Sequence, residues 1–172
     1  MANNPLQNKF VAKAYWDFAT TNGSGAAETI SAHNGPITIP DGAIITNAYY
    51  HVGTTVSDNG DDSTQILLGY TGATAAFVAE IAISASGTNG VAGGQFDAGI
   101  HGCLTGFAGG LDEGDDAGTA LENIASKAVT LAHVSRDGGA EILLTVGSTG
   151  VHTLNEGNLT LFVEYVITDD LA

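Results

Sequence analysis

The stretch Leu159–Thr168, L-T-L-F-V-E-Y-V-I-T, constrains the fold of this chain more than any other. It alternates with period two. Leu159, Leu161, Val163, Tyr165 and Ile167 fall on one side, all apolar or aromatic. Thr160, Phe162, Glu164, Val166 and Thr168 fall on the other, where polar groups are mixed with Phe162 and Val166. A β-strand points successive side chains to opposite faces, so the first set addresses a core and the second a partly covered sheet face. Lying almost at the C-terminus, this run predicts a last strand held inside a sheet.

The same period recurs along the chain. Residues 10 to 20 form a first strand with Ala12, Ala14, Trp16 and Phe18 on the core side and Val11, Lys13, Tyr15, Asp17 and Ala19 opposite. Short strands are expected near Glu28 to Ala32 and Ile37 to Ile39. Pro40-Asp41-Gly42 is a turn in which proline presets φ, aspartate bonds nearby backbone and glycine accepts positive φ. It launches Ala43 to Val56, where Ile44, Ala48, Tyr50, Val52 and Val56 share a face with Thr46 and Thr54. Strands follow at Thr64 to Thr71, with Ile66, Leu68 and Tyr70 aligned, and at Ala75 to Ser84, with Phe77, Ala79, Ile81 and Ile83 aligned.

Residues 85 to 118 are rich in glycine and poor in alternation. They read as a long loop anchored by Phe96, Ile100, Leu104 and Phe107 and ending in an acidic tip. Alternation returns at Ala125 to Val134 and Ala140 to Ser148, which Arg136-Asp137-Gly138-Gly139 joins as a hairpin. No amphipathic helix and no internal repeat is visible. Residues 1 to 9 form an extended N-terminal arm, and residues 10 to 172 a single all-β domain. Its expected fold is an antiparallel β-sandwich, jelly-roll-like, with a long glycine-rich loop.

Charge narrows the partners. Nineteen acidic residues stand against four basic ones (Lys9, Lys13, Lys127, Arg136), a net charge of −15. Four scattered cations make no phosphate-binding patch, which argues against nucleic acid and against an anionic membrane surface. No 18-residue apolar stretch reads as a membrane-spanning helix, and the N-terminus shows no signal-peptide pattern. Cys103 is the single cysteine, so no intrachain disulfide is expected.

The sequence offers little chemistry. Asp58, Asp61 and Asp62, and the group Asp112, Glu113, Asp115 and Asp116, have the oxygen ligands of a calcium site but not the spacing of an EF-hand loop. They read as solvated loop tips, and no cofactor is expected. His33, His51, His101, His133 and His152 lack zinc-ligand spacing, although His51 and His133 lie in strand-like runs and could meet across a sheet. His101-Gly102-Cys103 sets a base near a thiol without an orienting group. No nucleophile elbow, phosphate loop or dinucleotide fingerprint occurs. Trp16 and Tyr50 read as core. Tyr49 could stack on a sugar or pack against a partner, and Phe96 and Phe107 suit an interface or a local core.

Several stretches resemble a family of small virion proteins of tailed bacteriophages, the capsid decoration or cement proteins. They are Tyr15-Trp16-Asp17-Phe18-Ala19, Ile39-Pro40-Asp41-Gly42-Ala43-Ile44-Ile45 leading into Ala48-Tyr49-Tyr50, Ala79-Glu80-Ile81-Ala82-Ile83-Ser84, Phe96-Asp97-Ala98-Gly99-Ile100 and Phe162-Val163-Glu164-Tyr165-Val166. They run in one order along nearly the whole chain. The resemblance implies a jelly-roll-like sandwich on the outer capsid surface, with the major capsid protein and further copies of itself (as homodimer or homotrimer) for partners and no enzyme activity. Capsid or subunit contacts are then expected at Asn3, Asn4, Pro5 and Leu6 of the arm and at Phe96, Ile100 and Phe107. A β-sandwich module of a tail or fibre, binding a carbohydrate or another receptor, is the alternative.

Overall fold

The computed structural model describes residues 9–19, 28–58, 64–83, 96, 98–102, 132–133, 139–147 and 154–167. All their regular structure is strand: β1 (Lys9–Asp17), β2 (Glu28–Ser31), β3 (Thr38–Ile39), β4 (Ala43–Asp58), β5 (Thr64–Tyr70), β6 (Ala73–Ile83), β7 (Gly99–Gly102), β8 (Ala132–His133), β9 (Ala140–Gly147) and β10 (Leu154–Ile167). They form two antiparallel sheets. The first has the order β1-β10-β4-β7, with β8 also beside β4; the second has the order β2-β9-β5-β6, with β3 also beside β9.

The wiring follows from one long hairpin. If β2 and β3 count as two pieces of one strand, and β7 and β8 as two pieces of another, eight strand positions remain. The sheets then read 1-8-3-6 and 2-7-4-5. The pairs 1·8, 2·7, 3·6 and 4·5 are those of a hairpin folded at the turn between β5 and β6. Rolling that hairpin adds the pairs 8·3 and 7·4 and splits it into two sheets. This is the jelly-roll order, and it makes the fold class an all-β sandwich, as the alternation implies.

β10 is central in the first sheet, between β1 and β4. Leu159, Leu161 and Val163 are fully buried, and Tyr165 packs at the margin of the same core. Across from them lie Trp16, Ala14 and Ala12 on β1 and Val52, Tyr50 and Ala48 on β4. The second sheet contributes Ile66, Leu68, Phe77, Val78, Ile142, Leu144 and Val146. Trp16 ties the sheets together: its indole Nε1–H donates to the carbonyl of Ile30 on β2 at 3.2 Å, so the largest buried side chain keeps its polar atom satisfied.

Two local rules hold as the sequence implies. Gly42 has φ of 75°, Ala43 N–H donates to the Pro40 carbonyl at 3.3 Å, and Gly42 N–H donates to Asp41 Oδ1 at 3.0 Å. The Pro40-Asp41-Gly42 turn therefore closes as its residue chemistry dictates.

Several readings differ from the structure. Ile45 and Ala43, not Ile44, face the core. The register of β10 against β4 steps from Glu164↔Asn47 to Tyr165↔Ile45, so Thr46 is an extra residue that flips the parity. Its hydroxyl donates to the Glu164 carbonyl at 3.2 Å. A similar slip in β6 puts Phe77 and Val78 both inside. β8 and β9, on either side of Arg136 to Gly139, are not hairpin partners, because β8 pairs with β4 in the first sheet and β9 with β5 in the second; Arg136, Asp137 and Gly138 lie outside the described residues. Finally, part of the glycine-rich loop is a strand: Gly99–Gly102 pairs with Tyr49 to Val52. β1 also includes Lys9, the last residue assigned to the arm; residues 1–8 lie outside the described part.

Candidate functional site

Among the described residues no group of three or more His, Cys, Asp or Glu side chains is placed to hold a metal ion. Asp58 ends β4, while Asp61, Asp62 and the acidic group from Asp112 to Asp116 lie outside the described residues. His51 and His133 do not meet: His51 is in register with Ile100 and Thr160, and His133 with Ile44. His101 stacks on the buried Tyr50 ring with centroids 5.2 Å apart. Cys103 and His152 lie outside the described residues.

The expected contact residues separate. Phe96 is fully buried with its ring 5.8 Å from that of Tyr50, and Val56 N–H donates to its carbonyl at 3.0 Å. It belongs to the sandwich interior, the core side of the two readings the sequence allows it. Ile100 stands on β7 with 69% of its surface exposed. Asn3, Asn4, Pro5, Leu6 and Phe107 lie outside the described residues.

The unusual surface is the outer face of the first sheet. Register places Lys13, Phe162 and Tyr49 in one row across β1, β10 and β4. The next row holds Tyr15, Thr160, His51 and Ile100, and the row on the other side holds Val11, Glu164 and Asn47. The Tyr49 and Phe162 rings stack with centroids 5.0 Å apart and planes 13° from parallel. Lys13 Nζ lies 5.8 Å from the Phe162 centroid, within the range of a cation–π contact. Lys9 Nζ pairs with Glu164. Val11 is 55% exposed and Phe10 41%. Sequence alternation puts Val11, Lys13, Tyr15, Thr160, Phe162 and Glu164 opposite the core side, but their arrangement in rows depends on a register it does not carry.

One edge of this sheet is half covered. The turn at His33 and Asn34 lies along the C-terminal part of β1. His33 N–H donates to the Tyr15 carbonyl at 2.7 Å, and Tyr15 N–H to Asn34 Oδ1 at 3.0 Å. Asn34 Nδ2–H donates to the Lys13 carbonyl at 3.0 Å, and Asp17 N–H to His33 Nδ1 at 2.9 Å. The His33 ring proton therefore sits on Nε2, which is buried without a partner. Tyr15 Oη donates to Asp17 Oδ2 at 3.3 Å. Desolvation, then the Asp17 charge, raises the Tyr15 hydroxyl above the ordinary tyrosine value.

No family model and no curated protein matches the chain. Among solved structures it is similar to a chain described as "Cyanophage Pam1 capsid asymmetric unit", with a TM-score of 0.55 and 15% identity, covering 94% of this chain and 86% of the other. At that identity the two chains share a fold.

Proposed function

We propose that this protein is a structural component of a phage virion, a cement or decoration protein that sits on the outer capsid surface and bridges major capsid protein subunits. The observation that carries this reading is the fold: a jelly roll aligned over 94% of its length with a chain from a cyanophage capsid asymmetric unit. The sequence resemblance points the same way. Its residues lie in fold-bearing places, with Trp16 and Phe18 in the core and Pro40-Asp41-Gly42 at a closed turn.

Physics is compatible with that role. Clamping neighbouring capsomers requires many modest contacts repeated by symmetry, and no catalysis enters this reading. A homodimer or homotrimer would multiply the contacts. The outer face of the first sheet, with Val11, Lys13, Tyr49, Phe162 and Ile100, is the contact surface in this reading, because it combines exposed apolar area with the described cations. A strongly acidic remainder keeps decorated particles apart in solution.

A second reading is a tail or fibre module that stacks a sugar on the Tyr49 and Phe162 rings, since a flat aromatic pair on a sheet face suits a pyranose. Copy number separates the two. Quantitative mass spectrometry of purified particles of the encoding phage is expected to find hundreds of copies in fixed ratio to the major capsid protein. A dozen copies or fewer would move the protein to the tail, and absence from particles would remove both readings.

A further inference from the structure

We propose that the open half of the β1 edge, Lys9 to Lys13, is a strand-addition site for an extended acidic segment of a capsid subunit. The inference rests on the cement-protein reading for the identity of the partner, but its chemistry comes from the edge alone.

The edge is open by backbone geometry. In an antiparallel pair the N–H and C=O of one residue point to the same side, and alternate residues point to opposite sides. Lys13, Tyr15 and Asp17 use outward backbone groups to bind the turn at His33 and Asn34, whereas Phe18 N–H points inward to the Gly157 carbonyl. The odd residues of β1 therefore face away from β10. The N–H and C=O of Lys9 and Val11, and the N–H of Lys13, have no partner among the described residues. An incoming strand would find these groups aligned, and the His33–Asn34 turn would stop it beyond Lys13. Proteins ordinarily blunt such an edge along its whole length; here, among the described residues, one half is covered and the other is not.

The side chains specify the occupant. On the outer side the edge presents Lys9, Val11 and Lys13; on the other side Phe10, stacked on Tyr165 at 5.5 Å, is partly exposed and Ala12 is buried. Lys9 already pairs with Glu164 and Lys13 lies over the Phe162 ring, yet both are exposed and keep ammonium protons for a neighbour; a paired strand with an acidic residue opposite each, an apolar residue opposite Val11 and another beside Phe10 would complement every position. Charge selects against a second copy of this chain. A symmetric pairing of two β1 edges centred on Val11 sets Lys9 opposite Lys13 of the other copy, twice. Like charges directly opposite one another are destabilising. Lys9 and Lys13 are two of only four basic residues in a chain of net charge −15, and both stand on this edge.

The test uses the isolated protein and a capped synthetic peptide, Gly-Asp-Ser-Val-Val-Glu-Gly, whose antiparallel register sets Asp against Lys13, valines against Val11 and Phe10, and Glu against Lys9, with its Lys-for-acid counterpart as control. Two variants accompany the wild type. Val11→Pro deletes an outward N–H without touching the β10 ladder, so unfolding should shift little. The double variant Lys9→Glu, Lys13→Glu reverses the charge. Calorimetric titration is expected to show the acidic peptide binding wild type, weakening by about tenfold or more in both variants, and the lysine peptide gaining affinity only for the charge-reversed variant. No binding of the acidic peptide to wild type, or equal binding to Val11→Pro, would overturn the proposal. So would sedimentation showing a wild-type dimer that Val11→Pro dissociates, because a second copy would then own the edge. On particles, wild type attached and Val11→Pro attached equally would defeat the edge while leaving the cement reading intact. Wild type absent from particles would defeat the cement reading, and the peptide titration would still decide whether the edge accepts an acidic strand.

Discussion

The two sheets of this sandwich share one core yet present opposite outer faces. On the second sheet, register aligns Thr29 with Thr145 and Leu67, and Ser31 with Leu143 and Gly69. The Thr29 and Thr145 hydroxyls lie 3.3 Å apart. Among the described residues that face has no aromatic ring and no cation. The first sheet instead sets Lys13, Phe162 and Tyr49 in a row, with Val11 and Ile100 exposed beside it. The contrast shows how a net charge averages away a surface. A chain that looks uniformly acidic keeps its described cations on one sheet, at one edge. Partner chemistry is better inferred from that sheet than from the total.

The severest way to break the comparison is to separate the sheets. Trp16→Ala removes a fully buried ring and its bond to Ile30, and should destabilise the domain by about 3–5 kcal/mol in urea unfolding. Both faces would be lost together in one cooperative transition; separate transitions for the two sheets would show that they do not share a core.

Distorting the first sheet alone is milder. Gly157 has φ of 99°, and a Cβ there would stand 2.5 Å from Val56 Cα. Gly157→Ala should therefore cost about 1–3 kcal/mol from backbone strain, with further cost where β4 must shift. An unchanged melting temperature would mean that β4 and β10 do not meet there as described.

The outer aromatic pair allows a finer test. A double-mutant cycle on Tyr49→Ala and Phe162→Ala should give a coupling of about 0.5–1.5 kcal/mol. The same cycle on Thr29→Ala and Thr145→Ala, across the second sheet, should give less, because the shared hydroxyl contact is exposed. Equal couplings would erase the difference between the faces.

The smallest effect is a titration. Burial and the Asp17 carboxylate favour the neutral Tyr15 hydroxyl, so its folded value lies above 10.0. The stability this contributes is fully present below the unfolded value and is lost as pH rises through the folded one. Ultraviolet difference titration of wild type against Tyr15→Phe should assign to Tyr15 a step later than that of free tyrosine; a difference spectrum that titrates as free tyrosine does would contradict it.

How much of this was legible in the sequence depended on the kind of information required. β10 was legible because it is long and flanked on both sides, so its apolar parity is strict from Leu159 to Val163. The Pro40-Asp41-Gly42 turn was legible because its φ demand is local. Parity failed where a single extra residue, Thr46, resets it, since a bulge leaves no mark on composition. β7 reads as loop because Gly99 and Gly102 disfavour strand and leave only Ile100 and His101 between them, too short for an alternation; pairing with β4 makes them a strand. Proximity pairs the Ala140 run with the run before it, whereas antiparallel partners distant in sequence follow from the rolled topology. Of the candidate contact residues, Ile100 is exposed and Phe96 is core. Both are apolar residues in a glycine-rich stretch, and only the packing against Tyr50 distinguishes them.

On the proposed reading, the most direct measurement is an icosahedrally averaged cryo-electron microscopy map of virions from the source of this chain. The account predicts this jelly roll on the outer capsid surface, at many symmetry-related positions, with the first sheet and the Lys9 to Lys13 edge turned toward the major capsid protein. A capsid surface bare of it, or copies docked through the second sheet, would contradict the account.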